Sequence, residues 1–200
     1  MRTIIALVFL TLFNFGFGQE KFDFVSVEKF QKELNTEYAD AKTSPLKAED
    51  LATFKSLDFY PINETFFVIA KFVRTQDEKP FEMKTSTDRK PMYVKYGEAH
   101  FEIDGKPLRL NIYKNIELSK KEEYKDYLFL PFSDLTSGKE SYIGGKYIDM
   151  KTPIGDTIII NFNLSYNPLC AYNFKYSCPK VPQENDLNIE IRAGVKKFHD

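Results

Sequence analysis

Glu98-Ala99-His100-Phe101-Glu102-Ile103-Asp104-Gly105-Lys106-Pro107-Leu108-Arg109-Leu110-Asn111 is the stretch that decides the fold. Asp104-Gly105 is a two-residue turn of the kind that favours type I′ geometry, which matches the twist of the strands it joins. The turn fixes the register. Phe101 faces Leu108, Ala99 faces Leu110, His100 faces Arg109 and Glu98 faces Asn111. One side of the hairpin is apolar on both strands and the other is polar, as a half-buried antiparallel pair requires.

Working outward, Thr65 to Thr75 is rich in Phe, Val and Ile and long enough for a strand. Further strands are expected at Tyr127 to Phe132, Tyr147 to Met150, Thr157 to Asn163 and Leu187 to Ala193. The last alternates Leu187, Ile189, Ile191 and Ala193 against Asn188, Glu190 and Arg192. Lys79-Pro80 and Lys90-Pro91 bracket a polar loop from Met83 to Asp88. Before the strands, Val27, Phe30, Leu34 and Tyr38 follow a helical period, with Ser26 as N-cap. A second short helix is expected after Ser44-Pro45, facing Leu51, Phe54 and Leu57 to the core. The expectation is a mainly β chain: a single antiparallel sandwich or barrel-like domain carrying one or two N-terminal helices.

Residues 1–18 have the layout of a secretory signal peptide: Arg2, an apolar run from Ile4 to Phe15, and Gly16-x-Gly18 before Gln19. Residues 19–200 then form one domain in an exported, periplasmic or extracellular protein. No later apolar run is long enough for a helical membrane span. The net charge of -1, from 28 basic and 29 acidic residues, argues against a nucleic-acid partner. Apolar residues make up 42 %, enough for a core, with 19 Phe, 12 Tyr and no Trp. That aromatic weight suits strands.

Cys170 and Cys178 are the two cysteines. In an oxidising compartment they most simply form a disulfide, worth about 2.5 kcal/mol for a loop this short in the chain-entropy model. They sit in a loop dense in Asn, Tyr and Pro. This loop reads either as a stapled loop whose Asn side chains cap turns, or as a rigid polar ligand site. Its ligand-binding candidates are Asn163, Tyr166, Asn167 and Asn185, joined by Lys146. His100 lies between Glu98 and Glu102, opposite Arg109, and reads as a solvated charge ladder, so no metal is assigned. Gly138-Lys139 and Gly144-Gly145-Lys146 lack phosphate-loop spacing, and no cofactor is implied.

Three functional classes remain open. The first is an exported module binding a small polar ligand or a partner through the Asn/Tyr-rich loop. The second is a metal-independent hydrolase or lyase using Asp134, Asp149 and Glu184 as acid or base, with Tyr166, Asn163 and Lys146 orienting charge. The third is a surface-assembly protein with an exposed aromatic patch.

Several motifs together resemble a bacterial and archaeal family catalogued as domain of unknown function 1684. They are Leu130-Pro131-Phe132-Ser133-Asp134-Leu135-Thr136-Ser137-Gly138-Lys139-Glu140, Gly144-Gly145-Lys146-Tyr147-Ile148-Asp149, Asn161-Phe162-Asn163-Leu164-Ser165-Tyr166-Asn167-Pro168-Leu169-Cys170-Ala171-Tyr172, Cys178-Pro179 and Glu184-Asn185-Asp186-Leu187. The resemblance spans most of residues 40–197 and implies one domain without assigning an activity. The family pattern carries Arg where Lys146 stands and Asp where Asn161 stands. Lys keeps the charge of Arg and loses its fork.

Overall fold

A computed structural model describes residues 21–199. The signal-peptide expectation, residues 1–18, lies outside the described residues. The chain begins with α1 (Phe24–Ala39), α2 (Ala48–Thr53) and then seven strands: β1 (Phe67–Arg74), β2 (Phe81–Glu82), β3 (Met92–Ile103), β4 (Lys106–Asn115), β5 (Tyr127–Phe132), β6 (Lys146–Lys151) and β7 (Thr157–Asn161). All the strand pairings are antiparallel, in the order β6-β5-β4-β3-β1-β7, with β2 added on β3. The sheet curls into a half-barrel. Tyr147 on β6 exchanges backbone hydrogen bonds of 2.9 and 3.0 Å with Tyr166, which follows β7, so the two ends of the sheet approach one another.

The Asp-Gly hairpin forms with the register read from the sequence: Phe101 opposite Leu108, Ala99 opposite Leu110, His100 opposite Arg109 and Glu98 opposite Asn111. Asp104 and Gly105 both take positive φ, 51° and 73°, as a type I′ turn demands. Ahead of the turn, the register slips between Lys95 and Gly97. This β-bulge switches which face the residues of β3 present. Ala99, Phe101 and Ile103 enter the main core, whereas Tyr93 emerges on the opposite face beside Tyr113.

The main core lies inside the curl and is built from alternate residues of the strands, among them Val68, Ala70, Ala99, Leu110, Ile112, Leu128, Leu130, Ile148 and Ile160. Leu187, Ile189, Ile191 and Ala193 complete it. Their alternation is as expected from the sequence, but the segment is not a strand and joins no ladder. It crosses the core as an extended strap, and much of its backbone is held by side chains. A second cluster (Tyr38, Leu46, Leu57, Tyr172 and Val195) packs the helices over the end of the strap.

Three local expectations are corrected. The N-cap of α1 is Asp23, whose carboxylate accepts from Val25 N at 3.0 Å; Ser26 lies within the helix. The cap of α2 is Lys47, and Ser44 instead closes the turn after α1 by donating to Tyr38 O at 2.7 Å. Met83 is 1 % exposed and packs against aromatic rings, so the Met83–Asp88 loop is anchored at its apolar end.

Candidate functional site

The predicted polar residues fall into two groups, and the first group faces inward. Asp134 and Lys146 are fully buried, with Lys146 Nζ 3.3 Å from Asp134 Oδ2. Each also holds backbone. Asp134 Oδ1 accepts from Thr136 N at 2.8 Å and from Ile191 N at 3.1 Å. Lys146 Nζ donates to Ile191 O at 3.0 Å and to Ala193 O at 3.2 Å. Burial pulls the lysine's pKa down, and the neighbouring Asp134 charge opposes that pull. The pair therefore supplies the strap with the hydrogen bonds that a neighbouring strand would have provided.

Asn185 does the same where the sheet opens. β4 and β5 pair at Tyr113 and Phe129. Continuing that register would set Asn111 opposite Pro131, but a proline has no N–H to offer. The Asn185 amide fills the gap. Its Oδ1 accepts from Asn111 N at 2.9 Å, and its Nδ2 donates to Asn111 O at 2.8 Å and Pro131 O at 2.6 Å. Asn163 makes a matching pair with the backbone of Asn63, accepting at 2.9 Å and donating at 2.9 Å. Asn167 donates to Lys196 O at 2.8 Å. Asn163, Asn167 and Asn185 are each at most 1 % exposed. These side chains satisfy buried backbone in irregular segments, the accounting that buried polar groups obey.

The second group faces outward. Asp149 on β6 is exposed, and its Oδ1 accepts from both Tyr127 Oη and Tyr166 Oη at 2.7 Å. Burial, and then the Asp149 charge, hold both phenols far above the ordinary tyrosine range. Their protons therefore stay on and point at the carboxylate. No ion pair to Asp149 occurs among the described residues. Behind this triad lies an aromatic stripe on the outer face of the sheet: Tyr93, Tyr113, Phe129 and Tyr147, one from each of four adjacent strands, with Met83. Phe129 packs edge-on to Tyr147 at 4.7 Å, and Tyr147 edge-on to Tyr166 at 6.0 Å. The residue 81–91 loop and the segment around Pro179 cover the stripe; Tyr147 Oη donates to Pro179 O, and Lys180 N donates to Lys84 O at 2.8 Å.

Glu184 is exposed and acts on the Tyr113 phenol electrostatically. The structure therefore brings together Asp134 with Lys146 and Asp149 with Tyr166, and it does not gather the five residues Asp134, Lys146, Asp149, Asn163 and Tyr166 at one exposed position. Two surface grooves run along α1, lined by residues such as Lys32, Thr36 and Asp40, and contain none of the predicted site residues. Tyr127 was not among the sequence candidates. Its place depends on the β5–β6 register, in which Phe129 opposes Asp149.

Cys170 and Cys178 are buried and stand as separate thiols, so the expected disulfide is not formed here. Cys178 Sγ lies 3.1 Å from Cys170 N. Hydrogen bonding between the two thiols lowers the pKa of Cys170 against its burial and, together with burial, raises that of Cys178. Ser86 accepts from Cys178 N at 3.0 Å, tying the cysteine loop to the 81–91 loop. His100 Nε2 lies 2.9 Å from Glu98, which also holds Lys95 at 2.8 Å and Arg109 at 3.5 Å.

An uncharacterized protein of Haloarcula marismortui, solved by solution NMR, shares this fold at a TM-score of 0.67. It is 27 % identical over 86 % of this chain and 92 % of its own. No curated protein matches. Residues 52–196 match the family described as Protein of unknown function (DUF1684), to which this chain belongs.

Proposed function

We propose that this is an exported, non-catalytic binding domain whose recognition surface is the Asp149 edge of the half-barrel. The observation that carries this reading is the division of the polar residues. Asp134, Lys146, Asn163, Asn167 and Asn185 are buried and engaged with backbone, while Asp149 stands exposed with two tyrosine hydroxyls aimed at it. The hydrolase or lyase alternative uses Asp134, Asp149 and Glu184 together, and Asp134 is sealed away from the exposed Asp149 and Glu184. Export rests on the layout of residues 1–18. In an oxidising compartment the adjacent thiols of Cys170 and Cys178 join as a disulfide, closing the loop that follows Tyr166.

A ligand screen on the purified mature chain, read by thermal shift, tests the reading. The expected hits disappear in Asp149→Asn and persist in Asn167→Ser, which alters a buried pin. Hits untouched by Asp149→Asn would place recognition elsewhere.

A further inference from the structure

We infer that the Tyr127–Asp149–Tyr166 cluster binds an organic cation bearing N–H donors, either a primary ammonium or a guanidinium. This rests on the proposed binding surface and names the chemistry it takes. Both phenol protons are committed to Asp149 Oδ1 at 2.7 Å. A hydroxyl that has given its proton still carries acceptor lone pairs. Tyr127 Oη and Tyr166 Oη are therefore held as acceptors, and Asp149 Oδ2 is a third, with no hydrogen-bond or ion-pair partner among the described residues.

Three acceptor oxygens around one negative charge suit a group that is all donors. An ammonium offers three N–H bonds and a guanidinium offers a planar fork, and neither needs a donor in return. An anion meets the carboxylate charge and finds no free proton. A neutral polyol would leave the charge uncompensated. A hard divalent ion favours six or more oxygens and more than one carboxylate, which this cluster does not offer. The rings of Tyr127 and Tyr166, backed by Tyr124 at 6.1 Å and Tyr147 at 6.0 Å, give the alkyl part of such a ligand an apolar wall. The bonds formed are charge-assisted, the strong class of hydrogen bond.

The cation arrives either on a free small molecule or on a peptide side chain. Tyr147 turns its backbone N–H and C=O toward Tyr166 at the edge of β6. By strand alternation Asp149 and Lys151 turn theirs toward the same edge. An extended peptide could add ladder bonds there, and a free amine could not.

The test uses butylammonium, butan-1-ol and butyrate as probes that share one tail, and an acetylated, amidated Gly-Lys-Gly peptide with its acetyl-lysine counterpart. Binding to the mature chain is followed by chemical shifts of the backbone amides near Asp149. Butylammonium is expected to saturate, with butanol and butyrate failing to do so. Losing a hydrogen-bonded charge weakens binding about tenfold or more, so Asp149→Asn should show at least that loss. Tyr127→Phe with Tyr166→Phe keeps the charge and removes two acceptors, and is expected to weaken binding severalfold while the amide spectrum stays folded. Tighter binding of the lysine peptide than of butylammonium assigns the peptide source, and equal binding assigns the free amine. Butanol binding as well as butylammonium overturns the cation assignment while a ligand site at Asp149 stands. Butylammonium binding unchanged by Asp149→Asn overturns both.

Discussion

Replacing Lys146 with Met keeps much of the side chain's length and removes the ammonium. Asp134 then remains in a fully buried position without its counter-charge, and Ile191 O and Ala193 O each lose one of two donors. Breaking a buried ion pair by removing one partner costs about 3–5 kcal/mol. Both carbonyls keep a second donor, Ala193 N at 2.9 Å for Ile191 O and Ser165 Oγ at 3.3 Å for Ala193 O, so the orphaned Asp134 charge sets the cost. Asp134 keeps two backbone donors, Thr136 N and Ile191 N, which moderates the loss. A net destabilisation of about 4 kcal/mol is expected, or about 8–16 °C in Tm for a domain of this size. Urea unfolding followed by circular dichroism measures it, and the slope should be unchanged if only the native state is affected. The double variant Asp134→Asn/Lys146→Met removes the orphaned charge and should lose less than the two single changes combined. A single-variant loss below about 1 kcal/mol, typical of exposed pairs, would refute the claim that this pair holds the strap.

Three further outcomes are expected. Asn185→Ala leaves Asn111 N, Asn111 O and Pro131 O without partners and should cost about 3 kcal/mol by the same denaturation measurement. Thiol titration of protein prepared in an oxidising medium without reductant should find no free thiol, and reduction should lower stability by about 2.5 kcal/mol; two titratable thiols in that preparation would remove the disulfide. Stability should hold up to about pH 10 and fall beyond it. Tyr38, Tyr127, Tyr147 and Tyr166 have folded pKa values raised above that of the unfolded chain. Each therefore contributes stability that is fully present below the unfolded tyrosine value and is lost as the pH rises past it. Lys146, lowered by burial, acts in the opposite sense as the pH approaches its unfolded value, one group against four. A midpoint that keeps rising above pH 10 would contradict the tyrosine assignment.

The hairpin was legible because everything that fixes it is local: a two-residue turn sets the register, and alternation sets the faces. The same alternation in Leu187 to Ala193 correctly identified the buried residues and misled about their pairing. A strand needs a neighbouring backbone, and here much of the neighbour is the side chains of Asp134 and Lys146, far away in sequence. The Asn residues posed a related difficulty. An amide that can hold a ligand can equally replace a peptide group, and only the position of Pro131 opposite Asn111 reveals that Asn185 does the second. Tyr127 was invisible as a site residue because β5 and β6 are joined by the long connection from Ser133 to Gly145. No turn motif there announces that Phe129 faces Asp149. The bulge at Lys95–Gly97 left no mark in the alternation that would have moved Tyr93 to the outer face.

The strap also bears on the order in which the chain becomes a protein. Ile189, Ile191, Ala193 and Val195 are made after every strand of the sheet, yet they finish the interior and are held in part by Asp134 and Ser165, made before them. Until they emerge, the half-barrel has an unfilled centre and the buried charges of Asp134 and Lys146 lack their backbone partners. Closure of the interior thus waits for a segment made after every strand. A product truncated before Ile189 would remain open, with its interior exposed to proteolysis.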